Sequence, residues 1–330
     1  MVADGVDDHS RDHVAQDVNR ASRHQVDSIC RSILGCWGGT ARNHVERRRG
    51  AEVGAEIVSA DAFQIYRGLD LLTAKPDGSI LAKAPHHLVG TVPLTEEMSA
   101  EKFRRAAICA IEAINSRGKL VIVVGGSGLY IKALTHGLAP LPESDPKLRE
   151  KLEAMSLDEL RCQLAELDPK TAQKIDLKNR RRVTRALEIC LLIGKPVSTQ
   201  RERAASHSEA STGAFVFRDR EELYKRINQR VESMFEGGVI EEVRAAAGMS
   251  ATASQMIGLR EIQELLSGTK ELTQCIAQIQ QATRRYAKRQ LTWFRRQTNF
   301  FPLNLSFLTH NEAVKWISLR MLSEVGTRDD

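Results

Sequence analysis

Residues Glu56–Pro76 read EIVSADAFQIYRGLDLLTAKP, and this stretch decides the fold. Glu56 to Ala60 alternates and reads as a short buried strand. Asp61 follows at the strand's C-terminal end, the edge where open α/β sheets place their ligand sites. A carboxylate there can accept a proton or hold a magnesium ion. It can equally cap the turn that follows, and on these residues alone both readings stay open.

A second strand of the same class lies downstream. Leu120 to Val124 is a fully apolar, β-branched run, the pattern of a buried parallel strand. Gly125, Gly126, Ser127 and Gly128 then form a flexible loop before a helix. That order suits close backbone approach to a phosphate, or simply a tight turn. Between the two strands, Ser99 to Ser116 has helical periodicity, with Phe103, Ala107, Ile111 and Ile114 on one face and Gly118 ending it. The fold class expected is α/β: a mostly parallel sheet flanked by helices, with a helical insertion.

The insertion is expected at 142–206, between core segments 54–141 and 207–300. DPKLREKLEAM and LDELRCQLAEL are amphipathic, Asp168-Pro169 opens another helix, and Gly194-Lys195-Pro196 closes one. Arg180, Arg181, Arg182 and Arg185 are its densest basic cluster, either a solvated face or a track for a phosphate backbone. Arg203 to Gly213 reads as a mobile linker. Glu221 to Ala247 reads as a long helix broken at Gly237-Gly238, with Arg226 and Arg230 one turn apart. Thr283 to Arg296 carries Arg284, Arg285, Lys288, Arg289, Arg295 and Arg296 among Tyr286, Trp293 and Phe294. Basic residues among aromatics suit nucleic acid; a surface helix with a buried aromatic edge is the plainer reading. Residues 301–330 read as an uninformative tail.

Composition narrows the class. The net charge of +6 over 330 residues fits a polyanionic partner. Six scattered cysteines without a CxxC pair argue against a zinc site and against a disulfide framework, and point to a reducing, cytoplasmic compartment. No N-terminal run suits a signal peptide, and none approaches the ~18 apolar residues of a membrane span.

The segments EIVSADAFQIYRGLDLLTAKP, APHHLVG (Ala84–Gly90), KLVIVVGGSGLYIKALTHGL (Lys119–Leu138), PLPESDPKLR (Pro140–Arg149), KNRRRVTRALEI (Lys178–Ile189), LYKRINQRVESMFEGGVIEEV (Leu223–Val243) and TRRYAKRQLTWFR (Thr283–Arg295) occur in this order. Together they resemble the bacterial tRNA dimethylallyltransferases, the tRNA isopentenyltransferase or IPP transferase family. The resemblance implies transfer of a dimethylallyl group from dimethylallyl diphosphate to N6 of the adenosine beside the tRNA anticodon, with Mg2+ on the diphosphate and the anticodon arm as partner. It implies a P-loop-NTPase-like core with a helical insertion domain, Asp61 and Ser127 as catalytic residues, and Arg230 near the diphosphate, where the residues alone equally allow an i,i+4 pair with a glutamate. It implies tRNA or substrate contacts from Asp61, Ala62, Phe63, Gln64, Ser127, Arg149, Arg181, Arg182, Arg185, Gln255, Arg260, Arg284, Lys288 and Arg289, and no protein-held metal. At Leu259 and Ser127 the family usually carries tyrosine and threonine. Monomer is the default state.

Residues 1–53 do not match. The family opens with a strand and a phosphate loop ending in Gly-Lys-Ser/Thr, whose N–H groups and lysine hold the diphosphate. Here Gly38 to Thr40 is followed by no lysine, and none occurs before Lys75. Residues 1–53 carry eight arginines and four of the nine histidines. We read this break as a shifted frame or wrong start, and expect the segment to be disordered or irregular, although Cys30 to Trp37 can form a strand. Loss of the loop predicts a chain inactive or nearly so. A tRNA-binding remnant is the alternative reading, and a P-loop kinase or NTPase the weaker one.

Overall fold

The computed structural model describes residues 54–138, 141–199, 212–297, 299–309, 311–313 and 315–317, with the backbone of 33–36. In chain order the elements are strands β1 (Ile33–Cys36) and β2 (Ala55–Ser59), short helices α1 (Asp70–Thr73) and α2 (Gly78–Leu81), and β3 (His86–His87). Helix α3 (Ala100–Ser116), β4 (Leu120–Gly125) and α4 (Gly128–His136) follow. Next come α5 (Pro146–Ala154), α6 (Leu157–Leu167), α7 (Pro169–Lys174) and α8 (Arg180–Ile193). The chain then returns through β5 (Thr212–Phe217), α9 (Arg220–Glu236), α10 (Val239–Ala245), α11 (Leu259–Leu266), α12 (Leu272–Gln297) and β6 (Phe301–Asn304).

The strands form one sheet in the order β3-β2-β4-β1-β5-β6. Strands β2, β3 and β4 are parallel, as are β5 and β6. Strand β1 runs antiparallel to both of its neighbours, β4 and β5. The mostly parallel sheet expected is therefore present, with one reversed strand. Ile33 pairs with Gly125 and Cys36 with Ile122, so β1 starts at the edge where β4 ends. Cys36, its last residue, lies toward the opposite edge, so β1 runs against the strand-to-loop direction a phosphate loop needs. Apart from this strand, the expected irregularity of residues 1–53 falls outside the described residues.

Both faces of the sheet are buried, which is why its strands read as continuous apolar runs. On one face Val58, Val121, Val123 and Phe215 pack with Phe103, Ala107, Ile111 and Ile114 of α3. On the other, Ile57, Ile122, Val124, Ala214 and Val216 meet Leu303, Leu305, Ala313 and Ile317. Ser99 caps α3 by accepting the Lys102 N–H, and the four buried residues of α3 are those its periodicity selects. The segment after 300 thus supplies a strand and part of the core, correcting its reading as a tail. Strand β5 begins inside the expected Arg203–Gly213 linker; residues 200–211 lie outside the described residues.

Two compact units are distinguished. One contains the sheet, and the other spans Thr135–Glu209 and includes the helical 142–206 segment. In the second unit Leu152, Leu160, Leu164, Val183, Leu187 and Val197 form a separate core. Asp168, 1% exposed, caps α7 and ties it to the end of the unit. It accepts the N–H and O–H of both Thr171 and Ser198. Burial pushes its carboxyl upward, but these four bonds together hold it below the ordinary aspartate range.

Candidate active site

Two strand ends create the site. β2 and β4 run in register, with Ser59 opposite Val124, and the Ala60 N–H donates to the Val124 carbonyl at 2.7 Å. Asp61 therefore emerges beside the Gly125–Gly128 loop. The Ser127 N–H reaches the Ala60 carbonyl at 3.3 Å, and Ser127 Oγ accepts the Ala62 N–H at 2.9 Å. The approach requires glycine: a Cβ on Gly125 would lie 2.2 Å from the Ala60 carbonyl oxygen, and one on Gly128 would lie 2.5 Å from the Trp293 ring.

Asp61 is 4% exposed. Its Oδ1 accepts the N–H groups of Phe63 (2.9 Å) and Gln64 (3.2 Å), so the turn-capping reading holds for that atom. Oδ2 has no hydrogen bond among the described residues. One oxygen orients the carboxylate and the other remains available as a proton acceptor. Ser127 keeps its O–H as a donor after accepting from Ala62.

Gln64 is placed differently from expectation. It is buried, and its Nε2 donates to the carbonyls of Ala74 (2.7 Å) and Thr73 (3.4 Å). Its donor closes the 64–74 loop, so only Oε1 remains for a substrate. The loop needs such ties because Leu69 and Ala74 adopt positive φ, at 54° and 50°, which costs non-glycine residues. Glu242 supplies another, accepting the N–H groups of Leu71 and Leu72 at 2.9 and 3.0 Å. Arg230 on α9 approaches the same loop, its Nη2 3.5 Å from the Leu72 carbonyl. Its neighbour Arg226, one turn earlier, forms an i,i+4 pair with Glu222 at 2.9 Å.

The expected basic contacts divide by environment. In the Thr135–Glu209 unit Glu188 is fully buried. It binds Arg185 Nη1 at 2.6 Å, Ser144 Oγ at 2.8 Å, the Asp145 N–H at 3.0 Å and Arg149 Nε at 3.5 Å. Arg185 also donates to the Pro142 carbonyl, and Arg180 to the carbonyls of Leu152, Glu153 and Met155. Arg180, Arg149 and Arg185 are thereby built into the fold, whereas Arg181 and Arg182 are exposed and without a partner among the described residues.

Helix α12 resolves its two readings the same way. Thr283, Ala287, Gln290 and Phe294 face inward, while Arg285, Lys288, Arg289, Arg295 and Arg296 are exposed. Phe294 is core, Trp293 is half-buried and packs over Gly128, and Tyr286 is half-buried with the Arg289 guanidinium over its ring. Arg284 is tied to Asn228 at 2.8 Å. Gln255 and Arg260 are exposed, the latter beside Glu261 and Glu264. Leu259, at 1% exposure, belongs to the core, so no surface group is lost at that position. Sequence reasoning missed Glu242 and Gln290, which act on loops distant in the chain and carry no local signal.

Among the described residues no group of three or more His, Cys, Asp or Glu side chains could hold a metal ion. Magnesium bound through a single carboxylate takes its remaining ligands from water and substrate phosphates. The free Asp61 oxygen does not amount to a protein-held site.

The IPP transferase family description matches residues 64–297. The chain is 42% identical over 277 residues to tRNA dimethylallyltransferase 1 of Citrifermentans bemidjiense, covering 82% of this chain and 90% of that one. It is 38% identical over 272 residues to the tRNA dimethylallyltransferase of Akkermansia muciniphila, covering 82% and 91%. Among solved structures, a eukaryotic dimethylallyltransferase acting on tRNA superimposes with a TM-score of 0.68 at 26% identity, covering 88% of this chain and 78% of that one. The tRNA isopentenylpyrophosphate transferase of Bacillus halodurans gives 0.58 at 31%, covering 88% and 94%.

Proposed function

The chain belongs to the IPP transferase family, and from that premise we propose that it transfers a dimethylallyl group from dimethylallyl diphosphate to N6 of the adenosine beside the tRNA anticodon. The observation that carries the reading is Asp61: a buried carboxylate with one oxygen fixed by two N–H groups and the other free, beside Ser127 at the sheet edge.

The chemistry follows from that geometry. A new bond joins N6 to the allylic carbon as the carbon–oxygen bond to diphosphate breaks. The electron pair leaves with the diphosphate, and N6 sheds a proton to Asp61 Oδ2. A positioned base of this kind contributes on the order of 10²–10⁴-fold. Ser127 donates its O–H to substrate, and Gln64 Oε1 accepts from the extruded base, which must leave its stack to react. Arg230 faces the leaving diphosphate. Magnesium would accompany the diphosphate and offset its charge, with ligands from phosphate and water. Arg181, Arg182, Lys288 and Arg289 meet the phosphates of the anticodon arm. The chain acts in the cytoplasm as a monomer; no helix among the described residues is long and apolar enough to cross a membrane.

The remnant reading is not favoured. Relatives named for the transfer align over most of the chain, and Asp61 and Ser127 stand at adjacent strand ends, joined through Ala60 and Ala62. The test is incubation of the purified chain with radiolabelled dimethylallyl diphosphate, magnesium and unmodified tRNA, counting label in the RNA. Label in the RNA is expected, at a rate lowered by the loss of the phosphate loop. A folded protein that retains tRNA in a salt-dependent manner and transfers nothing would overturn the proposal in favour of the remnant.

A further inference from the structure

Gln290 lies on the inward face of α12, 8% exposed. Its Nε2 donates to the Gly126 carbonyl at 2.8 Å. Its Oε1 is buried with no hydrogen-bond partner. A buried, unpaired amide oxygen lowers stability. An apolar side chain of similar length, between Ala287 and Phe294 on the same face, would fill the space without that loss. What the amide supplies is therefore the donor, and the donor's target is the loop that carries Ser127.

Gly125 ends β4 in its pairing with β1, and the Ser127 carbonyl accepts the N–H groups of Tyr130 and Ile131; Gly126 between them is held by Gln290. Three of the loop's four residues are glycines, with wide backbone freedom. Its direct ties to the β2 end are the 3.3 Å bond from the Ser127 N–H and the bond from Ala62 to Ser127 Oγ. One helical turn from Gln290, the Trp293 ring closes over Gly128. Helix α12 thus grips the loop at Gly126 and Gly128, on either side of Ser127.

We propose that Gln290 is a positioning residue for the transfer, holding the Gly126 carbonyl so that Ser127, and through Ala62 the Asp61 carboxylate, stand in register with the reacting atoms. The inference deepens the function proposed above and rests on it for its kinetic consequence, while the clamp itself is a property of the fold.

The test uses the full chain carrying Gln290→Met, which keeps length and apolar bulk and removes the donor. Transfer per folded molecule should fall in kcat by roughly 10- to 100-fold, the penalty of a small misplacement at a reacting centre. The KM for tRNA and the melting midpoint should stay close to wild type. By hydrogen exchange, the 120–131 peptide should open roughly tenfold faster, as expected when a local hydrogen bond is lost, with β2 unchanged. Gln290→Glu keeps the shape and turns an acceptor toward the carbonyl. It should show the same deficit at neutral pH and recover toward wild type, compared at equal pH, as its carboxyl protonates and donates again. Unchanged exchange, or Gln290→Met transfer within about twofold of wild type, overturns the proposal. Absence of transfer by the wild-type chain would refute the function proposed above, and the exchange measurement would still decide the clamp.

Discussion

Among the buried carboxylates of this chain, Asp168, Glu188 and Asp61 are treated differently. In the helical unit, Asp168 and Glu188 have both oxygens occupied, by hydroxyls and amides in one case and by guanidinium groups, a hydroxyl and an amide in the other. At the sheet edge, Asp61 has one oxygen anchored and one free. A buried acid whose valences are all met adds order to a fold and does little else. An acid anchored through one oxygen, with the other left unbonded, is what a proton acceptor looks like before its substrate arrives.

The contrast is breakable. Asp61→Asn keeps the Oδ1 acceptor and removes the base. Transfer should fall by about 10²–10⁴-fold, while tRNA retention and the melting midpoint hold; a matching loss of stability would put Asp61 in the same class as Glu188. Glu188→Gln should do the reverse. Removing a buried partner of two arginines costs about 3–5 kcal/mol, to be read from the urea midpoint of the helical unit. Full transfer by the molecules that remain folded would sharpen the division.

Smaller effects separate the arginines. Arg181→Ala with Arg182→Ala should weaken tRNA binding and lower its salt slope by about one per residue removed, measured by filter binding across salt. Arg185→Ala should lower stability, because its guanidinium serves Glu188 and Pro142.

The smallest effect is the response to acid. Burial, the largest single influence, pushes Glu56 upward, but Arg117 and His87 together hold it below the ordinary glutamate range; Asp168 is also lowered. A folded pKa below the unfolded one gives stability that is present above the unfolded pKa and lost as pH falls through the folded value. Urea midpoints should therefore decline below about pH 4, and less steeply in Glu56→Gln. A slope unchanged by that substitution would remove Glu56 from the account.

Much of the fold was legible in the order of residues. The runs at 56–60 and 120–124, the helix face at Phe103, Ala107, Ile111 and Ile114, and the cap at Asp168 are short-range signals. Hydrophobic period and capping chemistry are local properties. β5 and β6 were not found: the first followed a polar stretch read as linker, and the second is four residues with a proline. The arginine cluster at 180–185 was visible as charge. Which of its members face solvent depends on Glu188 and on the carbonyl ends of α5, brought close only by packing.

The sequence by itself determined the class of sheet, the placement of Asp61 and Ser127 at strand ends, and the family, because each rests on contiguous residues. Only the tertiary structure decided which oxygen of Asp61 is free, that the Gln64 donor closes its own loop, that Phe294 of α12 joins the core, and that Gln290 holds the Gly126 carbonyl. The physical reason is that hydrogen-bond saturation and burial are set by groups brought together from distant parts of the chain. Gln290 and Gly126 are 164 residues apart, and no local pattern records that they meet.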